Sequence, residues 1–261
     1  MTRAPAIFVP HGGGPMPILN EPNHAELIQF LTTKARTWLG SPKAIILVSA
    51  HWETNIPSIS SSDKHDLYYD YYNFPKEAYS LKYNAPGSQS IANEIHQVLS
   101  RHNISSQLDS KRGWDHGLFV PLILMVPNAD IPIIQMSVLQ NQNAKELLDY
   151  GAALSELRDQ GIAIVGSGAS FHSFSPKDVT VANRAFEAQL QKYSKLPLSE
   201  RVKALTDWRS IEGSYECQPN GKSEHFSPYL VVTGAAQNSP LVDSVIVNIW
   251  GKQHGAFVWN D

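Results

Sequence analysis

Ten histidines stand among the 261 residues, and three of them arrive just as an apolar run ends. His11 follows Ala6–Pro10 (AIFVP) and opens HGGGP. His51 follows Ala44–Ser49 (AIILVS), in SAHWET. His172 comes soon after Ile162–Val165 (IAIV), in GSGASFHSF. Imidazole is the commonest side-chain metal ligand, suits Zn, Fe, Cu and Ni, and titrates near neutrality. Convergence of these residues would therefore give metal binding, proton transfer or both. His225 (SEHFSPYLVVTGAA) and His116 (GWDHGLFVPL) stand ahead of apolar stretches that read as helices. Ser223 or Ser227 is a candidate cap for the first of these helices, and Asp115 a candidate to fix the His116 imidazole. One such histidine alone is more often a satisfied structural group than a ligand. The repetition of one residue type at strand ends is what points to a site. His24, His65, His96, His102 and His254 read as surface or helix-face residues. Nothing here has the specificity of HExxH or paired CxxC, because ligands from distant segments leave no short spacing signature.

The elements that must position these residues are short β-branched runs separated by amphipathic helices. Beside the three runs above, Ile131–Met136 and Val245–Ile249 read as strands. Continuous apolar runs of this length predict strands buried on both faces, hence partly parallel. Helical periodicity covers Asn23–Trp38, Ser88–His102, Ala144–Gln160 and Val179–Tyr193, with Asn143 and Ser175 as candidate starts for the last two. The alternation predicts an α/β layered fold with a mixed, partly parallel central sheet flanked by helices. No linker composition or repeat divides the chain, so residues 1–261 read as a single catalytic domain. Sites in open α/β sheets lie outside the carboxyl ends of the strands, where these histidines would meet. The tyrosine-rich excursion Ile56–Pro86 reads equally as a pocket border or as a surface meander, with Tyr68–Tyr83 and Trp114 as candidate pocket-shaping residues.

Composition narrows the function classes. A formal net charge of −3 without any basic run gives no reason to expect nucleic acid or a membrane surface as partner. The first apolar run is too short for a membrane span. A lone cysteine, Cys217, rules out an intrachain disulfide and suits the cytoplasm. Oligomeric state is not legible.

Taken together and in order, HGGGPMPIL, SAHWE, WDHGLFVPL, GSGASFH and EHFSPYLVVTGAA resemble the DOPA-dioxygenase type of class III extradiol ring-cleaving dioxygenases, related to the β-subunit of protocatechuate 4,5-dioxygenase. The likeness runs from about residue 6 to the C-terminus. It implies one mononuclear site per chain, Fe(II) or Zn(II), held by His11, His51 and His225. It further implies His172 as catalytic acid/base, counted as a ligand in a zinc-loaded form, and His116 on the substrate pocket. The implied substrates are a small catechol and O2. In the protocatechuate enzyme a glutamate matches His225, so Glu224 is an alternative third ligand; histidine is the expectation for the DOPA type. Two departures stand out: Ser173 where relatives often have asparagine, and Gln218 before Pro219 where many have histidine. Rival readings are a serine esterase (Ser170, Asp243 and His254 in triad order, without a G-x-S-x-G elbow), a non-catalytic interaction protein on the same scaffold, and a zinc hydrolase.

Overall fold

The apolar runs form the middle of one eight-stranded sheet. In the computed structural model, which describes residues 3–261, the strands are β1 (Ala6–Pro10), β2 (Ala44–Thr54), β3 (Ser58–Ser60), β4 (Gln107–Asp109), β5 (Ile133–Leu139), β6 (Ile162–Gly168), β7 (Leu241–Ile249) and β8 (Lys252–Trp259). Their order is β4-β3-β5-β2-β6-β1-β8-β7. β5, β2, β6 and β1 are parallel, while β8 and β7 extend the sheet antiparallel beyond β1. The helices are α1 (Ala25–Thr32), α2 (Lys34–Leu39), α3 (Gln89–Arg101), α4 (His116–Met125), α5 (Ala144–Arg158), α6 (Thr180–Tyr193), α7 (Leu198–Thr206), α8 (Ser214–Cys217) and α9 (Ser227–Ala236).

Alternate strand residues supply two cores. Phe8, Ile46, Val48 and Ile134 join the core that holds α3, α5, α6, α7 and α9. Ile7, Val9, Ile45 and Leu47 join the core that holds α1, α2 and α4. This is the layered α/β fold that the alternation of elements predicts. Ser88 and Asn143 cap α3 and α5 through side-chain oxygens that accept from Ile91 N–H (3.2 Å) and Glu146 N–H (3.1 Å).

Several boundaries differ from expectation. Asn23–Trp38 is two helices: Thr33, at φ −120° and ψ −84°, leaves the helical region, and its hydroxyl bonds back to the Gln29 carbonyl at 2.6 Å. Ser175 does not start α6, whose cap position is Val179 without a side-chain bond. Val245–Ile249 is not buried on both faces. It belongs to the antiparallel edge strand β7, where Val247 and Ile249 alone are buried. An apolar run specifies an extended segment but not its neighbours, so an edge strand that packs on helices looks central. β8, β3 and β4 have no counterpart among the predicted strands.

α5 and α9 pack closely enough to exclude a methyl group. A Cβ on Gly151 would lie 1.8 Å from the Val231 carbonyl oxygen. Because both sides are backbone, neither yields cheaply. Gly151→Ala is expected to lower stability by about 3 kcal/mol, the upper range for core overpacking. A lower denaturant midpoint with unchanged slope is the expected readout; an unchanged midpoint would show that the helices separate freely. Among the described residues no helix is long and apolar enough to cross a membrane.

Candidate metal centre and active site

β1, β2 and β6 run parallel, so their carboxyl ends reach the same edge of the sheet. His11 follows β1 directly. His51 lies within β2 rather than after it, because the strand continues to Thr54. A register shift against β5 between Ser49 and Glu53 marks a bulge there. Bulges re-aim side chains, and this one brings His51 against His11. Beyond β6 the chain passes through Ala169 and Phe171 to His172. His225 stands just ahead of α9, whose cap position is Phe226 and whose first turn holds Pro228. Ser223 and Ser227 do not cap the helix; their hydroxyls donate to Gln142 (2.7 Å) and to the Ser223 carbonyl (3.3 Å). The His225 segment is pinned to the end of β6: Ala169 N–H donates to the His225 carbonyl at 2.8 Å. A Cβ on Gly168 would meet that same oxygen at 2.1 Å, so glycine permits the approach.

Three imidazoles face one another. His11 Nε2 and His51 Nε2 are 3.1 Å apart, and the ligand atoms of His11, His51 and His225 all lie within 4.8 Å of one another. Each Nδ1 meets an oxygen: Ser167 Oγ at 3.0 Å from His11, Asp70 Oδ2 at 3.4 Å from His51, and Glu224 Oε1 at 2.9 Å from His225. Ser167 decides the first tautomer. Its single hydroxyl hydrogen goes to the Gly117 carbonyl, so toward His11 the oxygen accepts. His11 therefore carries its hydrogen on Nδ1 and a lone pair on Nε2. Carboxylates only accept, so His225 follows the same rule, while Asp70 stands beside His51 Nδ1 as a charge without a hydrogen bond.

Burial, and then the neighbouring imidazoles, hold His11 and His225 well below the ordinary imidazole range. Burial and His116 bring His51 down to about 3, against the pull of Asp70. Neutral imidazole is the ligand form. Lone pairs converging on a buried point without protons between them fit a cation. Nitrogens about 2.1 Å from one ion and at right angles would stand about 3.0 Å apart. The 3.1 Å separation of His11 and His51 is compatible with that.

Glu224 is thus an acceptor behind His225 in this arrangement. It also reaches His172, whose Nδ1 is 3.5 Å from Oε1. The His172 ring stacks on His225, with centroids 3.4 Å apart and planes 16° apart. Burial, helped by His116, lowers His172 to about 4, which leaves a neutral base at pH 7. His116 is fixed by Asp70 and not by Asp115. Asp70 Oδ1 accepts from His116 Nδ1–H (2.8 Å) and from its backbone N–H (2.9 Å). Asp115, adjacent in sequence, points elsewhere and accepts from Ser49 (2.7 Å) and Arg112 (3.0 Å).

All five histidines, 11, 51, 116, 172 and 225, line one cavity of about 550 Å³. Asp70, Tyr71, Tyr72 and Phe74 form a wall of it, so the tyrosine-rich excursion does border the pocket. Trp114 does not; it is fully buried beside His65 and Tyr83. His24 and His254 are buried rather than on the surface. His24 accepts from Gly13 N–H at 3.1 Å and contacts Glu21 at 2.6 Å, holding the glycine loop that lines the cavity. His254 lines the cavity from β8. Ser173 also lines it, whereas Gln218 is buried behind it, donating to the Ala169 carbonyl at 2.8 Å. The esterase triad is not assembled. Ser170 accepts from Gly255 N–H at 2.9 Å, and Asp243 is held by Lys34 (2.9 Å) and Trp38 (3.2 Å).

Asp70 and Ser167 escaped the sequence reading. Asp70 is one of several acids in a polar stretch, and Ser167 sits unremarked between two glycines. Asp70→Asn keeps the shape but removes the negative charge beside His51 and His116 and turns one carboxylate oxygen into an NH2 group. It is expected to weaken metal binding about 10–100-fold, the usual effect of losing an outer partner of a ligating histidine. Competition with a chromophoric chelator measures this, and an unchanged affinity would mean that Asp70 does not orient His51.

Residues 4–255 match the family described as the catalytic LigB subunit of aromatic ring-opening dioxygenase. The chain is 40% identical to dioxygenase tasH of Hapsidospora irregularis, over 93% of this chain and 81% of that protein. It is 37% identical to a 4,5-DOPA dioxygenase extradiol of Beta vulgaris, over 93% and 90% of the two chains. A protein of the same name from Escherichia coli (strain K12) is 32% identical, over 90% and 86%. The crystal structure of an uncharacterized protein from Escherichia coli K12 matches with a TM-score of 0.75 at 27% identity, covering 98% of this chain and 100% of that one. A sheet that delivers its histidines in this order, matched by these relatives over almost its whole length, belongs to the LigB family of aromatic ring-opening dioxygenases.

Proposed function

We propose that the protein is an extradiol dioxygenase that opens a catechol ring with O2 at a single metal ion held by His11, His51 and His225. The observation that carries this reading is the convergence of those three imidazoles, each with an oxygen near its Nδ1, beside the stacked His172. Three facial protein ligands and open positions are the layout of non-haem Fe(II) oxygenases, so iron is the working metal in this reading. When bound, the ion supplies coordination for the two adjacent hydroxyls and for dioxygen, together with the electron flow between them.

The chain itself handles protons and position. His172 takes a proton from a catechol hydroxyl on Nε2, because its Nδ1 faces Glu224. It would return that proton as the ring opens, and both atoms of O2 would end in the product. His116, with its Nδ1–H on Asp70, presents Nε2 to the second hydroxyl. Tyr71, Phe74 and Trp250 give the cavity an aromatic wall that receives the ring and excludes water.

Relatives named 4,5-DOPA dioxygenase extradiol support placing DOPA first in a substrate panel. The test is anaerobic loading with Fe(II), then addition of oxygen with a catechol panel, recording oxygen uptake and product absorbance. Uptake of one O2 per catechol opened is expected with iron and none with Zn(II), which has no redox chemistry. Absence of uptake with every catechol, at one iron per chain, would sink the proposal and leave a binding role on the same scaffold.

A further inference from the structure

We infer that the cavity contains a second polar subsite, formed by Lys252 and His254 of β8, which takes an anionic group on the substrate's side chain. This rests on the ring-opening reading, and it narrows the substrate to a catechol with an acidic tail.

The subsite follows from how β8 is built. Trp250 (φ 50°) and Gly251 (φ 72°) both adopt positive φ, the two-residue turn that joins β7 to β8. Lys252 and His254 are two apart on the strand and therefore share a face. That face looks into the cavity, which both residues line.

Lys252 has donors to offer. An ammonium carries three N–H groups. One reaches Thr180 Oγ1 at 2.8 Å. The Asp178 carboxylate pairs with it at 3.7 Å from a side chain 83% exposed, where solvent weakens the ion pair. Lys252 is the one lysine or arginine that lines the cavity among the described residues. The carboxylate on the cavity wall, Asp70, is turned to His51 and His116. The positive charge at this end is therefore not answered from within the cavity.

His254 supplies the independent observation. Its side chain is buried, lines the cavity and makes no hydrogen bond among the described residues; Nδ1 is closed off, so the nitrogen it can offer to the cavity is Nε2. A ligand oxygen at Nε2 would give this half-enclosed polar ring its first hydrogen bond. The ring is held edge-on to Phe171, with centroids 5.9 Å apart. Burial keeps it neutral, at about 3, so it offers one donor and one acceptor. A lysine with spare donors beside an unpaired imidazole, flanked by the apolar Val179 and Trp250, favours a carboxylate over a neutral amide. A hydrogen bond to an ionised acceptor is roughly twice as strong as one to a neutral acceptor. With the hydroxyls at the histidine cluster, the tail lies along the same cavity toward β8.

The test uses 3-(3,4-dihydroxyphenyl)propanoate and its uncharged amide, titrated anaerobically into the iron-loaded protein by calorimetry. The acid is expected to bind about tenfold more tightly than the amide, a margin that shrinks as salt rises. Lys252→Met should erase the preference while leaving amide binding within about twofold. His254→Phe should reduce the preference without erasing it, because the charge remains. Equal binding of acid and amide to the unaltered protein would overturn the inference, as would failure of the acid to bind. Oxygen uptake then separates the two readings. Acid preference without uptake upholds the subsite and removes the dioxygenase reading; uptake without acid preference does the reverse.

Discussion

Replacing His11, His51 or His225 with alanine is expected to strip the metal and abolish turnover. Each variant leaves two imidazoles facing a space shaped for three. The loss should exceed the 10–100-fold range that marks an outer partner, so metal content after desalting falls to background. The fold should survive. His11 packs at the mouth of β1, and its partner Ser167 keeps its bond to the Gly117 carbonyl when the imidazole goes. His51 lies within the register shift in β2, outside the regular pairing with β6. The metal-free variants should therefore melt within a few degrees of the metal-free parent protein. Glu224→Ala supplies the control. It removes the acceptor behind His225 but none of the three converging nitrogens. If that variant loses metal as completely as His225→Ala, the glutamate is the ligand. If any of the three histidine variants keeps a full metal complement, the assignment of that ligand is wrong.

The parallel middle of the sheet and the residues delivered at its edge were legible for one physical reason. Buried strands need continuous apolar runs, and a polar residue at the end of such a run stands out. AIFVP-His11 and IAIV…His172 carry that contrast. His51 was legible as a residue but not in its setting, since nothing in SAHWET announces a bulge that keeps the strand going while turning one side chain. His225 precedes a helix without a strand to mark it, and only the likeness to a family singled it out. The supporting groups were out of reach. Asp70 lies 19 residues beyond His51 in the irregular Ile56–Pro86 segment and acts through a tertiary contact. β8 shows the opposite failure: its start, KQHG, carries polar residues into the cavity, so it lacks the apolar signature of a strand. His254 was hidden for that same reason.

His172→Ala is expected to behave unlike the three ligand variants: metal content stays near that of the parent protein, and turnover falls by about 10²–10⁴, the range for losing a general acid or base. The geometry separates the roles. His172 lies against the face of His225 at a 3.4 Å centroid distance, with Nδ1 toward Glu224, and groups with Glu224 and His225 rather than with His11 and His51. Stacking puts its ring over one of the proposed ligands, and it lines the same cavity, from which it would reach a substrate hydroxyl. Its depressed basicity, at about 4, matches a residue that accepts a proton only when a substrate hydroxyl has been made acidic beside it. The loss should appear mainly in kcat, since the hydroxyl contacts to metal and to His116 still bind the catechol. Two measurements, metal per chain and oxygen uptake, then decide the role. Metal retained with turnover lost assigns proton handling to His172. Metal lost on this single change would make His172 a fourth ligand, and the proton would need another carrier, for which His116 on Asp70 is the placed alternative.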